Sequence, residues 1–236
     1  MGLEKKTALV TGGTKGIGYG IAEALLKEGV NVAITGRDEA SGKTAVAGLA
    51  KPGSARALFI KADVRDLKSQ QDAVSKVIAE FGGLDVLVAN AGVGHFAPIE
   101  DLTVEKWKET IDTNLTGVFY SIKSSLDALK KSKGYIITIS SLAGTNFFAG
   151  AGAYNASKFG LTGFTQAVML DLRKDGIKVT TIMPGSVATE FNNHDPGPED
   201  AWKIQIEDLG QMVVDLLKMH PRTLPSKIEV RPSIPK

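Results

Sequence analysis

The hydrophobic positions of the chain fall into two kinds of segment that alternate along its length. Short continuous apolar runs are typical of strands buried on both faces, and apolar residues spaced three to four positions apart are typical of amphipathic helices. The runs that predict strands cover residues 7–11, 30–35, 56–62, 84–89, 135–139, 177–182 and 227–231. Because parallel strands need long crossover connections, this alternation predicts a parallel sheet with helices on both faces.

The helical segments begin and end at residues with known terminal preferences. A first helix starts at Gly16 and ends at Gly29, and a second opens at Asp38 or Ser41 and closes around residues 51–53. Further helical segments are predicted over residues 67–81, 103–131, from 154 onward and 206–219. In the segment 67–81, which Asp66 caps, the inward-facing residues are predicted to be Ala73, Val74, Val77, Ile78 and Phe81.

No linker, repeat or low-complexity segment interrupts this pattern, so residues 1–236 are predicted to form one domain. The fold class is therefore α/β, a doubly wound parallel sheet of about seven strands with helices on both faces. Ligands are expected at the carboxyl ends of the strands.

Composition narrows the classes of function. The 28 basic and 26 acidic residues are dispersed along the chain, so we expect no nucleic-acid partner. Cysteine is absent, which excludes disulfides, a cysteine nucleophile and cysteine zinc sites. The three histidines lack metal-ligand spacing, so no metal site is predicted. The start leads directly into a strand and no apolar run is long enough to span a bilayer, so we expect a cytoplasmic protein without membrane contact.

Tyr154 and Lys158 stand four residues apart at the start of a predicted helix, so both side chains leave one face. An ammonium beside a phenol favours the phenolate and lowers the pKa of the phenol. A tyrosine tuned in this way can exchange a proton with an alcohol or a ketone. Ser141, after the strand at 135–139, is placed to reach the same oxygen. The four-residue pattern alone also arises in helices as a solvated pair.

Residues 11–18, which read Thr-Gly-Gly-Thr-Lys-Gly-Ile-Gly, lie between the first strand and the first helix. Glycines at this point let a pyrophosphate approach the backbone, and the helix N-terminus offers free N–H groups. The spacing, with Gly12, Gly16 and Gly18, departs from the common Gly-x-Gly-x-x-Gly form. Its place between strand and helix favours a dinucleotide site over a simple turn.

Taken together, these features resemble the short-chain dehydrogenase/reductase family, which has a single-domain Rossmann fold. The resemblance extends to about Glu190. It departs at residues 226–232, where many members have a glycine-rich strand. The residues that carry it are the turn at 11–18, the motif Asn90, Ala91 and Gly92, the tetrad Asn114, Ser141, Tyr154 and Lys158, and the loop residues Pro184, Gly185 and Thr189.

The resemblance implies a catalytic role for each member of the tetrad. Tyr154 is the expected acid in ketone reduction and base in alcohol oxidation. Lys158 is expected to bind the nicotinamide ribose and to lower the pKa of Tyr154. Ser141, selected over Ser140 by the family spacing, is expected to hydrogen-bond the substrate oxygen. Asn114 is expected to kink its helix and to hold a water next to Lys158.

The cofactor is expected to be NADP(H). NAD-preferring members usually carry an acidic residue where this chain has Gly36, and Arg37 follows it. With Lys15 in the turn, two cations would face a 2′-phosphate, and Asp38 is interpreted as a helix cap. The resemblance further implies that Asp63 accepts from the adenine amino group. The full set of expected cofactor contacts is Gly12, Thr14, Lys15, Gly16, Ile17, Gly18, Arg37, Asp63, Val64, Asn90, Ala91, Gly92, Tyr154, Lys158, Pro184, Gly185, Val187 and Thr189.

The leading functional hypothesis is an NADPH-dependent oxidoreductase that reduces a small-molecule ketone or aldehyde to an alcohol, reversibly. The alternative within enzymes is a 3-oxoacyl-thioester reductase of fatty-acid synthesis, acting on acyl carrier protein. A non-catalytic NADP-binding sensor is a third hypothesis. A sugar-nucleotide epimerase shares the Tyr-x-x-x-Lys pattern but usually has a larger C-terminal domain than this chain provides.

Two further expectations concern regions outside the tetrad. The helices over about 103–131 and 154–174 carry more apolar surface than one buried face needs, so a homodimer or homotetramer is expected. Residues 190–206 are expected to form a substrate-binding loop, mobile over 190–201 without ligand, with a static surface loop as the alternative. His95 is either a residue of the substrate mouth or a surface-loop histidine.

Overall fold

The computed structural model describes residues 2–50 and 55–234. In this part of the chain seven parallel strands form one sheet, in the order β3-β2-β1-β4-β5-β6-β7. The strands are β1 (Thr7–Thr11), β2 (Asn31–Gly36), β3 (Ala57–Lys61), β4 (Val86–Ala89), β5 (Tyr135–Ile139), β6 (Lys178–Pro184) and β7 (Lys227–Val230). The predicted fold class and its all-parallel sheet are confirmed.

The order of the strands reverses at β1, which pairs with β2 on one side and with β4 on the other. Leu9 of β1 lies opposite Ala33 and Leu87 in the register, and all three side chains are buried. The crevice outside the carboxyl ends of β1 and β4 is the point where ligands bind in sheets of this kind.

Helices cover both faces of the sheet and bury its apolar side chains in two clusters. One face packs against α1, α2 and α7, and the other packs against α3, α5 and α6. The helices are α1 (Gly16–Lys27), α2 (Glu39–Leu49), α3 (Leu67–Phe81), α4 (Val104–Ile111), α5 (Gly117–Ser132), α6 (Gly152–Leu172) and α7 (Ile206–Lys218).

Helices α1 and α7 cross closely because glycines stand at the contact. A Cβ added at Gly20 would lie 2.6 Å from the Ile206 carbonyl oxygen, and one added at Gly210 would lie 2.6 Å from the carbonyl oxygen of Gly20. Neither backbone can move away without separating the helices, so both positions require glycine.

Most predicted boundaries agree with the structure, and Asp66 and Asp38 are the N-caps of α3 and α2. The predicted end of the second helix at 51–53 lies outside the described residues. The inward placement of Ile78 is wrong, because the side chain is 39% exposed. The buried stripe of α3 instead includes Gln70, whose amide bonds the carbonyl oxygen of Asp63 and the hydroxyl of Ser121.

The predicted helical region at 103–131 is a composite. It consists of α4, a π-helical turn at Asp112–Thr116, and α5. The segment after β6 that was predicted to be a loop contains two short 3₁₀ turns, Phe191–Asn193 and Pro198–Asp200.

Candidate active site

The turn between β1 and α1 holds its shape through glycines and backbone hydrogen bonds. Gly12 has φ +64° and Gly16 has φ +55°, values that side-chain-bearing residues rarely adopt. A Cβ at Gly12 would lie 2.9 Å from the Ala91 Cα. Within the described chain the side chain of Lys15, the N-cap residue, makes no capping bond to α1. The N–H groups at this helix end are therefore available to an anionic ligand.

Asn90, at the end of β4, fastens this turn to the neighbouring strand. Its side-chain amide donates to the carbonyl oxygens of Thr11 (2.9 Å) and Gly12 (3.1 Å). The Thr11 hydroxyl in turn accepts from the backbone N–H groups of Asn90 and Ala91. Gly18 packs beneath the turn, where a Cβ would lie 2.5 Å from the Asn90 amide nitrogen. Asn90 thus supports the turn, and Gly18 lies behind the wall of the cleft and not on it.

Tyr154 and Lys158 both lie on the first turns of α6, and Ser141 follows β5. The Lys158 ammonium is buried, donates to the Ile139 carbonyl oxygen at 3.0 Å and lies 5.7 Å from the centre of the Tyr154 ring. Ser141 shares a hydrogen bond with Tyr154 and accepts one from the Ala143 N–H. The structure therefore brings these three side chains together as predicted.

Ser140, the rival of Ser141, has a different set of partners. Its hydroxyl bonds the Thr162 hydroxyl (3.0 Å) and the Lys158 carbonyl oxygen (3.3 Å). It is buried. Ser140 thus ties β5 to α6, and the hydroxyl bonded to Tyr154 belongs to Ser141.

The ionisation of the pair differs from the expectation drawn from the sequence. Burial raises the pKa of Tyr154, and its hydrogen bond with Ser141 opposes that shift to a smaller degree. Burial also lowers the pKa of Lys158 to about 8. The net direction is opposite to the predicted lowering of the Tyr154 pKa, because desolvation outweighs the effect of the Lys158 ammonium, which bonds the Ile139 carbonyl oxygen. At neutral pH the phenol is protonated, and this is the form that can donate a proton to a carbonyl oxygen.

Asn114 lies in the π-helical turn between α4 and α5 and is fully buried. Its amide oxygen accepts from the Val93 N–H, and its amide nitrogen donates to the Val93 carbonyl and to the Ser157 hydroxyl. The extra residue of a π turn redirects a helix locally. Asn114 therefore joins the loop after β4 to α6 next to Lys158, and it does not line the cleft.

A cleft of about 750 Å³ opens at the carboxyl ends of the strands. It is lined by seventeen of the eighteen residues expected to contact a cofactor, all except Gly18, which stands behind its wall. Those lining it are Gly12, Thr14, Lys15, Gly16, Ile17, Arg37, Asp63, Val64, Asn90, Ala91, Gly92, Tyr154, Lys158, Pro184, Gly185, Val187 and Thr189.

One end of the cleft is polar and contains a residue that the sequence analysis missed. Arg65 lies in the wall beside Arg37, and Asp63 accepts hydrogen bonds from its guanidinium at 2.6 to 3.1 Å. The bond from Arg65 lowers the pKa of Asp63. A second basic residue two positions after the predicted adenine contact was a signal in the sequence.

The other end of the cleft is aromatic. The ring of Phe96 lies 5.3 Å from that of Tyr154, and the ring of Phe191 lies 5.8 Å from it. Phe148 extends this group, 6.0 Å from Phe96. His95, considered for this mouth, instead bonds Glu109 at 3.0 Å. We name Phe96, Phe148 and Phe191 the aromatic mouth.

The segment 190–206 also borders the cleft, and a buried carboxylate fixes its second half. Asp200 bonds Lys203 at 2.6 Å and also bonds His194, and both of these partners line the cleft. The hydrogen bonds from Lys203 and His194 hold the pKa of Asp200 at about 2. Ile204 pairs with Val187 in a parallel bridge. The 3₁₀ turn Phe191–Asn193, which precedes His194, lacks a strong anchor of this kind.

The described residues contain neither a cluster of candidate metal ligands nor a helix suited to span a membrane. None of the histidine and acidic side chains there form a group of three or more that suits a metal ion. None of the helices there combines the length and the apolar character needed to cross a membrane.

The cleft suits a dinucleotide on the observations above. Two arginines lie at the polar end, uncapped N–H groups and glycines lie at the turn after β1, and a tyrosine with a lysine lies beside the aromatic end. A ribose phosphate, a pyrophosphate and a reacting carbon need these three environments respectively.

Comparison with known proteins agrees with this geometry. The family model described as short chain dehydrogenase matches residues 6–199. Trans-4-hydroxycyclohexanecarboxylate dehydrogenase of Sinomonas cyclohexanicum is 38% identical over 190 residues, which are 78% of this chain and 73% of that protein. The 3-oxoacyl-[acyl-carrier-protein] reductase of Chlamydia muridarum is 37% identical over 193 residues, 80% of this chain and 77% of that protein.

A solved structure extends the likeness to the whole fold. The alcohol dehydrogenase from the archaeon Thermococcus sibiricus, complexed with 5-hydroxy-NADP, superimposes with a TM-score of 0.92 at 27% identity and covers 98% of both chains. With the family model covering most of the chain, the chain belongs to the short-chain dehydrogenase/reductase family of oxidoreductases.

Proposed function

We propose that the protein is an NADP(H)-dependent oxidoreductase that reduces a ketone or aldehyde to an alcohol and also catalyses the reverse reaction, oxidation of the alcohol. One observation carries the proposal: Tyr154 shares a hydrogen bond with Ser141 and lies next to both the Lys158 ammonium and the aromatic mouth. This is the arrangement that proton transfer to a substrate oxygen needs.

The residues divide the chemistry among them. The nicotinamide cofactor supplies the hydride when it is bound. Tyr154 donates its proton to the carbonyl oxygen as negative charge develops there, and Ser141 donates a hydrogen bond to the same oxygen. Lys158 would hold the ribose hydroxyls of the cofactor, and its positive charge would favour the phenolate that Tyr154 leaves behind. In alcohol oxidation the phenolate takes the proton back.

The preference for NADP(H) over NAD(H) rests on the polar end of the cleft. Arg37 and Arg65 line it together with Lys15. A guanidinium group can donate two hydrogen bonds to two oxygens of one phosphate. A 2′-phosphate therefore gains more binding energy at this end than a 2′-hydroxyl does.

The aromatic mouth favours a substrate with an apolar or aromatic group beside its carbonyl. Phe96 and Phe191 both lie next to the Tyr154 ring and line the cleft. The likeness to an acyl-carrier-protein reductase supports a second candidate, reduction of a 3-oxoacyl thioester, because an acyl chain is also apolar.

A cofactor-linked assay tests the proposal. NADPH and NADH oxidation are followed with aryl ketones, short aliphatic ketones and an acetoacetyl thioester. We expect the highest kcat/KM with NADPH and an aryl ketone. Highest kcat/KM with the thioester would favour the second candidate. Absence of turnover with every carbonyl, together with tight NADP⁺ binding, would instead favour the non-catalytic sensor.

We also propose that the protein forms a homodimer or homotetramer through α5 and α6. Phe119 of α5 and Phe159 and Leu170 of α6 are exposed apolar side chains, and Phe119 packs against Phe164. Self-association through a two-fold axis would bury this surface. Light scattering measures the oligomeric state, and we expect Leu170→Glu to lower the measured mass of the assembly. A wild-type monomer at micromolar concentration would contradict the proposal.

A further inference from the structure

Glu109 of α4 lies next to both arginines of the polar end. Its carboxylate oxygen Oε1 is 3.8 Å from the Arg37 guanidinium and 3.7 Å from that of Arg65. Both arginines line the cleft, whereas Glu109 stands behind them. A negative charge is thus built in at the place where the proposed function puts a 2′-phosphate.

The two arginines depend on Glu109 to different degrees. Arg65 also has Asp63, which binds its guanidinium with three hydrogen bonds. The contact of Arg37 with Glu109 is 3.8 Å long, which is longer than the hydrogen bonds from Arg65 to Asp63, and the Arg37 side chain is 59% exposed. Arg37 is therefore the cation that a phosphate can draw away with the smaller loss of existing bonds.

His95 keeps the Glu109 carboxylate where it is. Its Nε2 atom lies 3.0 Å from Oε2, the oxygen that does not face the arginines. The Glu109 side chain is only 34% exposed. A carboxylate held on one oxygen cannot simply turn into solvent when a phosphate arrives, so its charge stays close to the phosphate.

We propose that Glu109 is a specificity-determining residue, whose carboxylate competes with the cofactor's 2′-phosphate for Arg37 and so reduces the preference for NADP(H) over NAD(H). The inference rests on the proposed function, in which Arg37 meets that phosphate. NAD(H) carries a hydroxyl at this position and does not enter the competition. Glu109 therefore changes the affinity for NADP(H) more than it changes the affinity for NAD(H).

The test measures dissociation constants of NADP⁺ and NAD⁺ by calorimetry for wild type and Glu109→Gln. Glutamine keeps an acceptor for His95 and removes the charge. We expect the NADP⁺ constant to fall about two- to fivefold, in the range of a partly exposed charge pair, and the NAD⁺ constant to change less than twofold. Higher salt should reduce the gain, because it screens the removed charge.

Two further variants locate the effect. Glu105→Gln makes the same change of charge four residues earlier on α4, and we expect it to alter neither constant more than twofold. In an Arg37→Gln background the gain from Glu109→Gln should shrink, since the cation it would release is absent. An equal gain in that background, or an equal change for NADP⁺ and NAD⁺, would overturn the inference.

These outcomes separate the inference from the proposed function. If wild type prefers NAD⁺, the proposed cofactor preference fails, but a selective gain for NADP⁺ in Glu109→Gln still supports the role of Glu109. If wild type prefers NADP⁺ and Glu109→Gln changes neither constant, the inference alone fails. Melting temperatures of all variants show whether each is folded.

Discussion

Two regions of the cleft, the turn at its cofactor end and the aromatic mouth at its substrate end, are built in different ways. The turn at residues 11–18 is fixed by backbone geometry, with Asn90 bonded to two of its carbonyl oxygens and no room for a Cβ at Gly12 or Gly18. The aromatic mouth is formed by side chains from three separate loops, and Phe96, Phe148 and Phe191 are each 39% exposed or more.

This difference separates what is fixed from what can vary. A backbone turn with glycines tolerates few substitutions, so it suits a cofactor that does not change. Partly exposed side chains on loops can be exchanged without loss of the core, so they suit a substrate site. Tyr154 stands between the two ends, because it bonds Ser141 and contacts both Phe96 and Phe191.

The largest effect is expected where the two ends meet. Tyr154→Phe keeps the ring contacts and removes the proton that reduction needs. We expect kcat to fall by about 10²- to 10⁴-fold or more, and the NADP⁺ dissociation constant to stay within about twofold. Steady-state kinetics and calorimetry measure the two quantities. Wild-type turnover in this variant would contradict the proposed chemistry.

A smaller effect is expected from a methyl group at the cofactor end. In Gly18→Ala the new Cβ would lie 2.5 Å from the Asn90 amide nitrogen and 2.6 Å from the Gly12 carbonyl oxygen. We expect a loss of about 1 to 3 kcal/mol in the free energy of unfolding, and weaker NADP⁺ binding, since the turn must shift. Urea unfolding and calorimetry measure these changes.

Gly83→Ala is the matched control for that variant. Within the described chain an added Cβ at Gly83 meets no atom within 4 Å, and its φ is not positive. We expect stability and NADP⁺ affinity close to wild type. Equal losses in both variants would show that the Gly18 site has no special requirement for glycine.

Substitutions at the substrate end should alter KM for the substrate and leave the affinity for the cofactor unchanged. Phe96→Ala removes a ring in contact with Tyr154, and we expect KM for an aryl ketone to rise about three- to tenfold. The NADP⁺ dissociation constant should stay within about twofold. Phe147→Ala, at a ring that is 85% exposed and outside the cleft wall, should change neither. A rise in both constants for Phe96→Ala would show that the two ends are not independent.

The same contrast explains how much the sequence could predict. The periodicity of the apolar residues and the spacing of the glycines reflect local backbone requirements. The sequence could therefore predict the strands, the helix caps at Asp38 and Asp66, and the turn at 11–18. The raised pKa of Tyr154 depends on burial, which a four-residue spacing does not reveal. The aromatic mouth joins residues about 95 positions apart, from Phe96 to Phe191, and only the folded chain brings them together.

The smallest expected effect concerns the segment 190–206, which borders both ends. Its second half is anchored by Asp200 and by the bridge between Val187 and Ile204. The 3₁₀ turn Phe191–Asn193 is held by two long bonds, one of 3.3 Å from the Phe191 N–H to the Thr189 hydroxyl and one of 3.4 Å from the His194 N–H to the Phe191 carbonyl oxygen. We therefore expect the residues around this turn to be mobile without ligand and to close over a bound substrate.

Hydrogen exchange with and without NADP⁺ and a substrate analogue measures this motion. We expect protection of amides at residues 190–195 to rise about three- to tenfold on binding, because ring contacts of Phe191 close the mouth over the ligand. Amides at residues 201–204 serve as the internal control, since Ala201, Lys203 and Ile204 already donate to backbone carbonyl oxygens. If residues 190–195 are strongly protected without ligand and do not change, the segment is a static surface loop. The contrast between a fixed cofactor end and an adaptable substrate end would then rest on the aromatic side chains alone.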